Sequence, residues 1–327
     1  MKLRYQSLSA NDLEQVSLLD SQIIGQPRRS FFEKRLQIAT ATPEAFVTCA
    51  ARAGEELKGY AFGRVQNGDF GSSATVAALD VFGVAPASQG QGIGRGLLAG
   101  IEERMVKKNI LRLRTEIDWT NHAMQRFFAA AGFFLAPIQI IARDTTELKE
   151  DVAEMVTPAM DSRWQVHGPG GNDYDRLARD RVQTRSLRQT DLDTVIRLDR
   201  HLSGQDRRAY YQQKFAEMLQ ESGIRISLTA EKKDLLAGFI MARLDYGEFG
   251  QPVQTAVIDT LGVDPAAQSS GVGRALLSQL LINLARLQVE KIQTQISWRQ
   301  ISLHKFMCDC GFVPAQRLIL EKRLIPQ

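Results

Sequence analysis

The chain carries one sequence pattern twice, without a gap between the copies. Residues 79–98 read LDVFGVAPASQGQGIGRGLL and residues 258–277 read IDTLGVDPAAQSSGVGRALL, an offset of 179 positions. Eleven of the twenty aligned positions are identical, against about one expected from ordinary residue usage. The same offset pairs Leu57 and Gly59 with Leu236 and Gly238, Thr115 and Trp119 with Thr294 and Trp298, and Gly132-Phe133 with Gly311-Phe312. A period this long is the duplication of a whole domain, because solenoid repeats run roughly 20–50 residues. Each copy is therefore a partial control on the other. A residue kept in both serves the fold or a shared ligand, and one kept in a single copy marks where the halves differ.

A length of 327 residues suits two domains, each large enough to bury its own core without staples. The three cysteines, Cys49, Cys308 and Cys310, form no CxxC and no paired framework. That argues for a reducing compartment and against zinc or structural disulfides. The first fifteen residues hold no apolar run of signal-peptide length, and no 18-residue apolar stretch occurs, so the expected location is the cytoplasm. A net charge of +4 comes without a block of Lys and Arg. This favours a solvated surface and an anionic small ligand over nucleic acid or membrane.

The first unit is expected over residues 1–144, a linker over 145–178 and the second unit over 179–327. The Gly-Pro-Gly-Gly run at 168–171 has linker composition. Both units follow one order: a short strand, a helix started near Asn11 or Asp191, and a repeated Gly-Gln-x-Arg-Arg-x-aromatic-aromatic segment (25–32 and 204–211). A hairpin region follows, with turns expected at Asn67-Gly68 and Tyr246-Gly247. An apolar strand then runs into a glycine-rich loop and a helix whose Leu97, Leu98, Ile101 and Met105, or Leu276, Leu277, Leu280, Leu281 and Leu284, make one apolar face. A strand, a helix ending in Gly-Phe and a last strand (139–142; 318–321) are expected to close each unit. Strands before the loop and strand-helix-strand after it predict a mixed α+β sheet.

The loops, Gln89-Gly90-Gln91-Gly92-Ile93-Gly94-Arg95 and Gln268-Ser269-Ser270-Gly271-Val272-Gly273-Arg274, each join a strand to an amphipathic helix. Glycine lets backbone turn tightly and approach a ligand. The first N–H groups of the helix lack intrahelical partners, so with the helix dipole they make an anion site suited to phosphate. No Gly-Lys-Ser/Thr follows, which excludes the NTPase loop. Leu97 and Leu276 stand where a dinucleotide fingerprint wants its third glycine.

Val84-Ala85-Pro86, Gln89–Gly94 and Gly132-Phe133, matched by Val263-Asp264-Pro265, Gln268–Gly273 and Gly311-Phe312, resemble the GNAT superfamily of acyl-CoA-dependent N-acyltransferases. The resemblance covers both units. It implies two GNAT-like domains, each a mixed sheet flanked by helices whose fourth and fifth strands splay apart. Acetyl-CoA would lie in the splay with its pyrophosphate on the loop, and its contacts would extend to Phe82, Val84, Asn121 and Phe128, or Leu261 and Val263. A backbone N–H near Val84 or Val263 would polarise the thioester carbonyl. A primary amine, of a small molecule or a protein, would enter from the opposite side and attack directly.

The amine arrives as an ammonium of pKa about 10 and must lose a proton. Asp80 and Asp259, four residues before the shared valine, are the only ionisable side chains on that strand kept in both copies. Each is a candidate base, with a structural part at a bulge as the alternative. Relatives commonly carry Tyr seven residues after the Asn of the last helix to protonate the leaving thiolate. Here those positions hold Phe128 and Met307, and Gln300 replaces Asn121. The implied activity is N-acetyl transfer by a monomer or homodimer. The alternative is that one half, more readily the second, is a non-catalytic acyl-CoA-binding or regulatory module. Arg28-Arg29 and Arg207-Arg208 are weighed as carboxylate binders against ion-pair anchors, and His201, which has no counterpart, is expected to be partly buried.

Overall fold

The computed structural model describes residues 3–69, 72–145, 182–220, 226–232, 235–245, 249 and 254–325. The strands of the first half are β1 (Leu3–Gln6), β2 (Phe46–Ala53), β3 (Glu56–Asp69), β4 (Ser72–Val84), β5 (Arg112–Asp118), β6 (Phe134–Leu135) and β7 (Ile138–Asp144). Its helices are α1 (Leu13–Ile24), α2 (Arg29–Ala41), α3 (Ile93–Lys107) and α4 (His122–Ala130). The second half repeats them as β8 (Gln183–Ser186), β9 (Leu228–Lys232), β10 (Leu235–Asp245), β11 (Thr255–Val263), β12 (Lys291–Ser297), β13 (Val313–Pro314) and β14 (Arg317–Arg323). Its helices are α5 (Leu192–Ser203), α6 (Arg208–Gln220), α7 (Val272–Arg286) and α8 (Ile301–Asp309).

These strands form two seven-stranded mixed sheets, each flanked by helices on both faces. On one face of the first sheet, the apolar stripe of α3 (Leu97, Leu98, Ile101, Met105) packs on Val47, Ala61, Ala77 and Leu113. On the other, Val16, Leu19, Phe32 and Leu36 of α1 and α2 cover Tyr60, Phe62 and Val81. The second sheet repeats the arrangement with α7 and α8 on one face and α5 and α6 on the other.

One expectation is overturned. Neither half closes with its own last strand. The first sheet runs β1-β2-β3-β4-β5-β14-β6 and the second β13-β7-β12-β11-β10-β9-β8. β14 therefore pairs with β5 of the other half, from Arg317↔Asp118 to Arg323↔Arg112. β7 likewise pairs with β12, from Lys291↔Asp144 to Ser297↔Ile138. The exchange is two-fold symmetric: Trp119 N–H donates to Gln316 O and Trp298 N–H to Pro137 O, and Ala136 with Ile319 mirrors Ala315 with Ile140. Periodicity identifies a strand that needs an edge, but two repeated edges, β5 and β12, offer the same pattern.

One smaller expectation also changes. Asn67-Gly68 is not the hairpin turn: β3 and β4 stay paired past it to Asp69↔Ser72, with a register shift there and Gly68 at φ +125. The proposed turn at Tyr246-Gly247 and the linker beyond Thr145 lie outside the described residues.

Candidate active site

The splay lies between β4 and β5. They pair in parallel at Ala77↔Leu113 and Ala78↔Arg114 and then part. The hydroxyl of Thr115 closes the fork by donating to Leu79 O at 2.9 Å. Thr294 does the same to Ile258 O at 2.9 Å in the second half. That is the structural reason this threonine is kept in both copies.

At the fork each central strand carries a β-bulge. Phe62↔Val81 is followed by Gly63↔Leu79, so Asp80 is the extra, unpaired residue. Met241↔Thr260 followed by Ala242↔Ile258 leaves Asp259 in the same position. A bulge re-aims a side chain, and here it turns each carboxylate onto cations. Arg35 Nη1 lies 2.8 Å from Asp80 Oδ2 and Arg64 Nε 3.9 Å, with the Asp80 side chain fully buried. Asp259 meets Lys214 at 3.2 Å and Arg243 at 3.4 Å and keeps 15% of its side chain exposed.

Asp80 lines a cavity of ≈ 100 Å³ with Asp20, Arg28, Tyr60, Phe82, Glu116 and Phe128 among its walls. Phe249 of the second half also borders it. Phe128 is buried against Phe82, Phe127 and Phe133, and Met307 is fully buried in the second half. The position that would carry an acid is thus apolar in both halves.

The two glycine-rich loops differ in detail. Gly90 and Gly92 have φ of +77° and +81° and open space where a Cβ would project. Gly92 begins α3 without a side-chain cap, so its first N–H groups face the loop. Gln89 and Gln91 fold back onto Val84 O and Ala87 O, both at 3.3 Å. Arg95 is exposed and Ile93 buried. The last loop glycine answers to packing: a Cβ on Gly94 would stand 3.2 Å from the Phe127 ring, and on Gly273 3.2 Å from Phe306. In the second loop Ser269 takes φ +61°, a left-handed conformation that costs a non-glycine residue. Ser270 Oγ is bonded to Ala267 O at 2.6 Å. Gln268 is exposed, Arg274 half-buried and Val272 buried, and Gly271 begins α7 at φ +87°. Asn121 caps α4 by accepting from Met124 N–H at 3.1 Å, whereas Gln300 makes no such bond to α8. Leu261 and Val263 line the end of β11 as Phe82 and Val84 do for β4, all half-buried.

The repeated arginines resolve into anchors. Arg28 makes a bidentate pair with buried Asp20 at 2.8 and 2.5 Å and lies over the rings of Phe31 and Phe32. Arg207 repeats this with Asp199, Tyr210 and Tyr211. Arg29 and Arg208 are exposed and pair with Glu14 and Asp193. His201 is exposed in the last turn of α5, not partly buried. The Asp20–Arg28 pair could have been found, since Asp20 and Asp199 obey the 179-residue offset. Glu116 could not, because its counterpart at the offset is Gln295; Phe249 does repeat Phe70, but the repeat alone does not tie it to the cleft.

Comparison with known proteins agrees with this geometry. The model of the acetyltransferase (GNAT) family matches residues 14–133 and 192–312, more than half of the chain. A tandem GNAT protein from the clavulanic acid biosynthesis pathway, solved without AcCoA, is 17% identical with a TM-score of 0.64, covering 100% of both chains. A GCN5-related N-acetyltransferase from Sphaerobacter thermophilus is 15% identical with a TM-score of 0.57, covering 98% of this chain and 95% of its own. One from Kribbella flavida is 13% identical, also at 0.57, covering 98% of this chain and 71% of its own. No curated protein sequence matches the chain. With the family matched in both halves and the splayed sheet built twice, the chain belongs to the GNAT acetyltransferase family as a tandem-repeat member.

Proposed function

We propose that the protein moves the acetyl group of acetyl-CoA onto a primary amine by direct attack within a ternary complex. The observation that carries this is the uncapped start of α3 behind Gly90 and Gly92, opening beside a splayed cleft with a buried carboxylate at its bulge. Backbone N–H groups of 89–95 suit the pyrophosphate, and Phe82, Val84, Asn121 and Phe128 border the acyl end. Acetyl-CoA supplies an activated acyl carbon. The ammonium first gives one proton to a carboxylate. The neutral nitrogen then forms the C–N bond as the C–S bond breaks, and the second proton it loses passes to the departing thiolate or to water. The thiolate, of pKa about 8.5, leaves without a side-chain acid.

For the proton we assign Asp80 in the first half. The Arg35 and Arg64 cations beside it favour a carboxylate over a carboxylic acid, as a base requires at the start, and work against uptake of the proton. Its effect belongs at the low end of general-base catalysis, about 10². Asp80→Asn is expected to leave acetyl-CoA binding unchanged and to lower turnover about a hundredfold, less at higher pH where more amine is already neutral. A structural Asp80 predicts instead a lower melting temperature with full rate per folded molecule.

A second reading, that the C-terminal half binds acyl-CoA without turnover, is favoured by the strained Ser269, the occupied Ser270 hydroxyl and the lost cap at Gln300. On that reading Asp259→Asn changes no rate. A loss equal to that of Asp80→Asn would make both halves catalytic. Full activity in the double variant rules out both carboxylates as bases.

A further inference from the structure

β5 alternates across its sheet. Leu113 and Ile117 join the core under α3, so Arg114 and Glu116 lie on the opposite face, the side from which an acceptor would enter. Glu116 is buried and borders the first cavity. It is held across the repeat: Gln295 Nε2 donates to Oε1 at 2.9 Å, and Arg317 Nε donates to Oε2 at 3.0 Å. Gln295 is its own counterpart at the 179-residue offset, and Arg317 arrives on the exchanged strand β14. Three carboxylates, Asp20, Asp80 and Glu116, border that cavity, and Arg28 lines it with them. All three are ion-paired, Asp20 with Arg28, Asp80 with Arg35 and Arg64, and Glu116 with Arg317; Glu116 is the one whose cation comes from the other half. Phe249, also from the second half, borders the cavity beside Glu116, and the Arg317 guanidinium lies over its ring, 5.9 Å from the centroid.

We propose that Glu116 binds the ammonium of the acceptor in the first cleft, and that the C-terminal half sets its orientation through Gln295 and Arg317. The acceptor site is then composite and single. The mirror position in the second half holds an amide, which carries no charge to attract an ammonium. This rests on the acetyl-transfer reading and assigns the acceptor as a cationic amine. Glu116 is the residue that touches it, and Gln295 is a positioning residue.

The test uses the full chain, acetyl-CoA and a panel of 1,4-diaminobutane, tyramine and glycinamide, with thiol release as the readout and calorimetry for acetyl-CoA binding. Glu116→Gln is expected to raise the amine KM tenfold or more, leave the acetyl-CoA KM and dissociation constant unchanged, and change kcat less than threefold. Glu116→Asp should recover part of the amine KM. Gln295→Ala should raise the same KM about threefold, a split that a purely structural role does not produce. An unchanged amine KM in folded Glu116→Gln, beside a competent wild type, overturns the assignment alone. A wild type that binds no acetyl-CoA, or releases no thiol with any of the amines, overturns the acetyl-transfer reading and this proposal with it.

Discussion

At the scale of single residues, the duplicated halves solve one problem with different atoms. Each buries an Asp–Arg pair beside its cleft, Asp20–Arg28 and Asp199–Arg207, and each adds a phenol. In the first half Tyr60 on β3 donates to Asp20 Oδ1 at 2.6 Å. In the second the hydroxyl belongs to Tyr211 on α6, which accepts from Arg207 at 3.0 Å. Phe32 and Phe239 fill the exchanged positions, and the two rings of each pair meet edge-on. Burial, then the charge of Asp20, pushes the Tyr60 phenol far up, so it remains a donor at any working pH. Tyr60→Phe therefore removes one bond from a buried carboxylate and should cost about 1–3 kcal/mol. Phe32→Tyr in that background places the hydroxyl where the second half has it, and should return part of the loss. The denaturation midpoints of both singles and the double give the coupling; strict additivity would show that the hydroxyls do not substitute for one another. Glycine follows the same logic of exchange: a Cβ on Gly96 would collide with the Tyr5 ring and hydroxyl, and Ala275 takes that place where Thr184 replaces Tyr5.

At the scale of elements, helix starts were legible to within a residue and strand partners were not. The start signal falls on Asp12 and Asp191, which obey the 179-residue offset. Asp12 accepts from Ser9 N–H at 2.7 Å and Asp191 from Arg188 N–H at 2.8 Å. Arg185 adds a fork onto Asp191 at 2.7 and 2.9 Å. Burial of Asp191 acts to raise its carboxyl, but the Arg185 fork, the Arg188 N–H and both positive charges outweigh it and hold the group below its ordinary value. The depressed carboxyl stabilises the fold fully above the ordinary carboxylate value of about 4 and ceases to do so as pH falls through its folded-state value. Asp191→Asn should thus lower stability by on the order of 1 kcal/mol at neutral pH, and the gap from wild type should close in acid. A gap that persists or widens as pH falls well below the ordinary carboxylate range would falsify the ionic account. The loop glycines and the apolar faces of α3 and α7 were readable because their causes are local. Asp80 and Asp259 were readable because the repeat keeps them, but Glu116 was not, since it is defined by residues 179 and 201 positions away.

At the scale of the whole molecule, the exchange of β7 and β14 makes the two sheets one covalent and non-covalent unit. Each exchanged strand makes seven residue pairs with the other half, and ion pairs reinforce the seam, Arg114 with Glu321 at 2.7 Å and Lys322 with Glu102 at 2.6 Å. Duplication supplies the reason this is possible. β7 and β14 occupy equivalent places in the repeat, so either can complete either sheet, and a domain-swapped closure needs no new surface. Separated halves are therefore the wrong objects for measuring ligand affinity, because residues 1–144 lack β14 and would carry a β7 whose native edge is absent. A protease site inserted at 168–171 offers a cleaner test. After cleavage of the folded protein, the fragments should still elute together at the volume of the uncut chain and unfold in a single transition. Acetyl-CoA binding should be retained, and separation should require denaturant. If each half instead closes on its own strand, cleavage should release two smaller monomers at micromolar concentration. The composite site at Glu116 would then vanish on cutting, and with it any amine turnover that depends on Gln295 and Arg317.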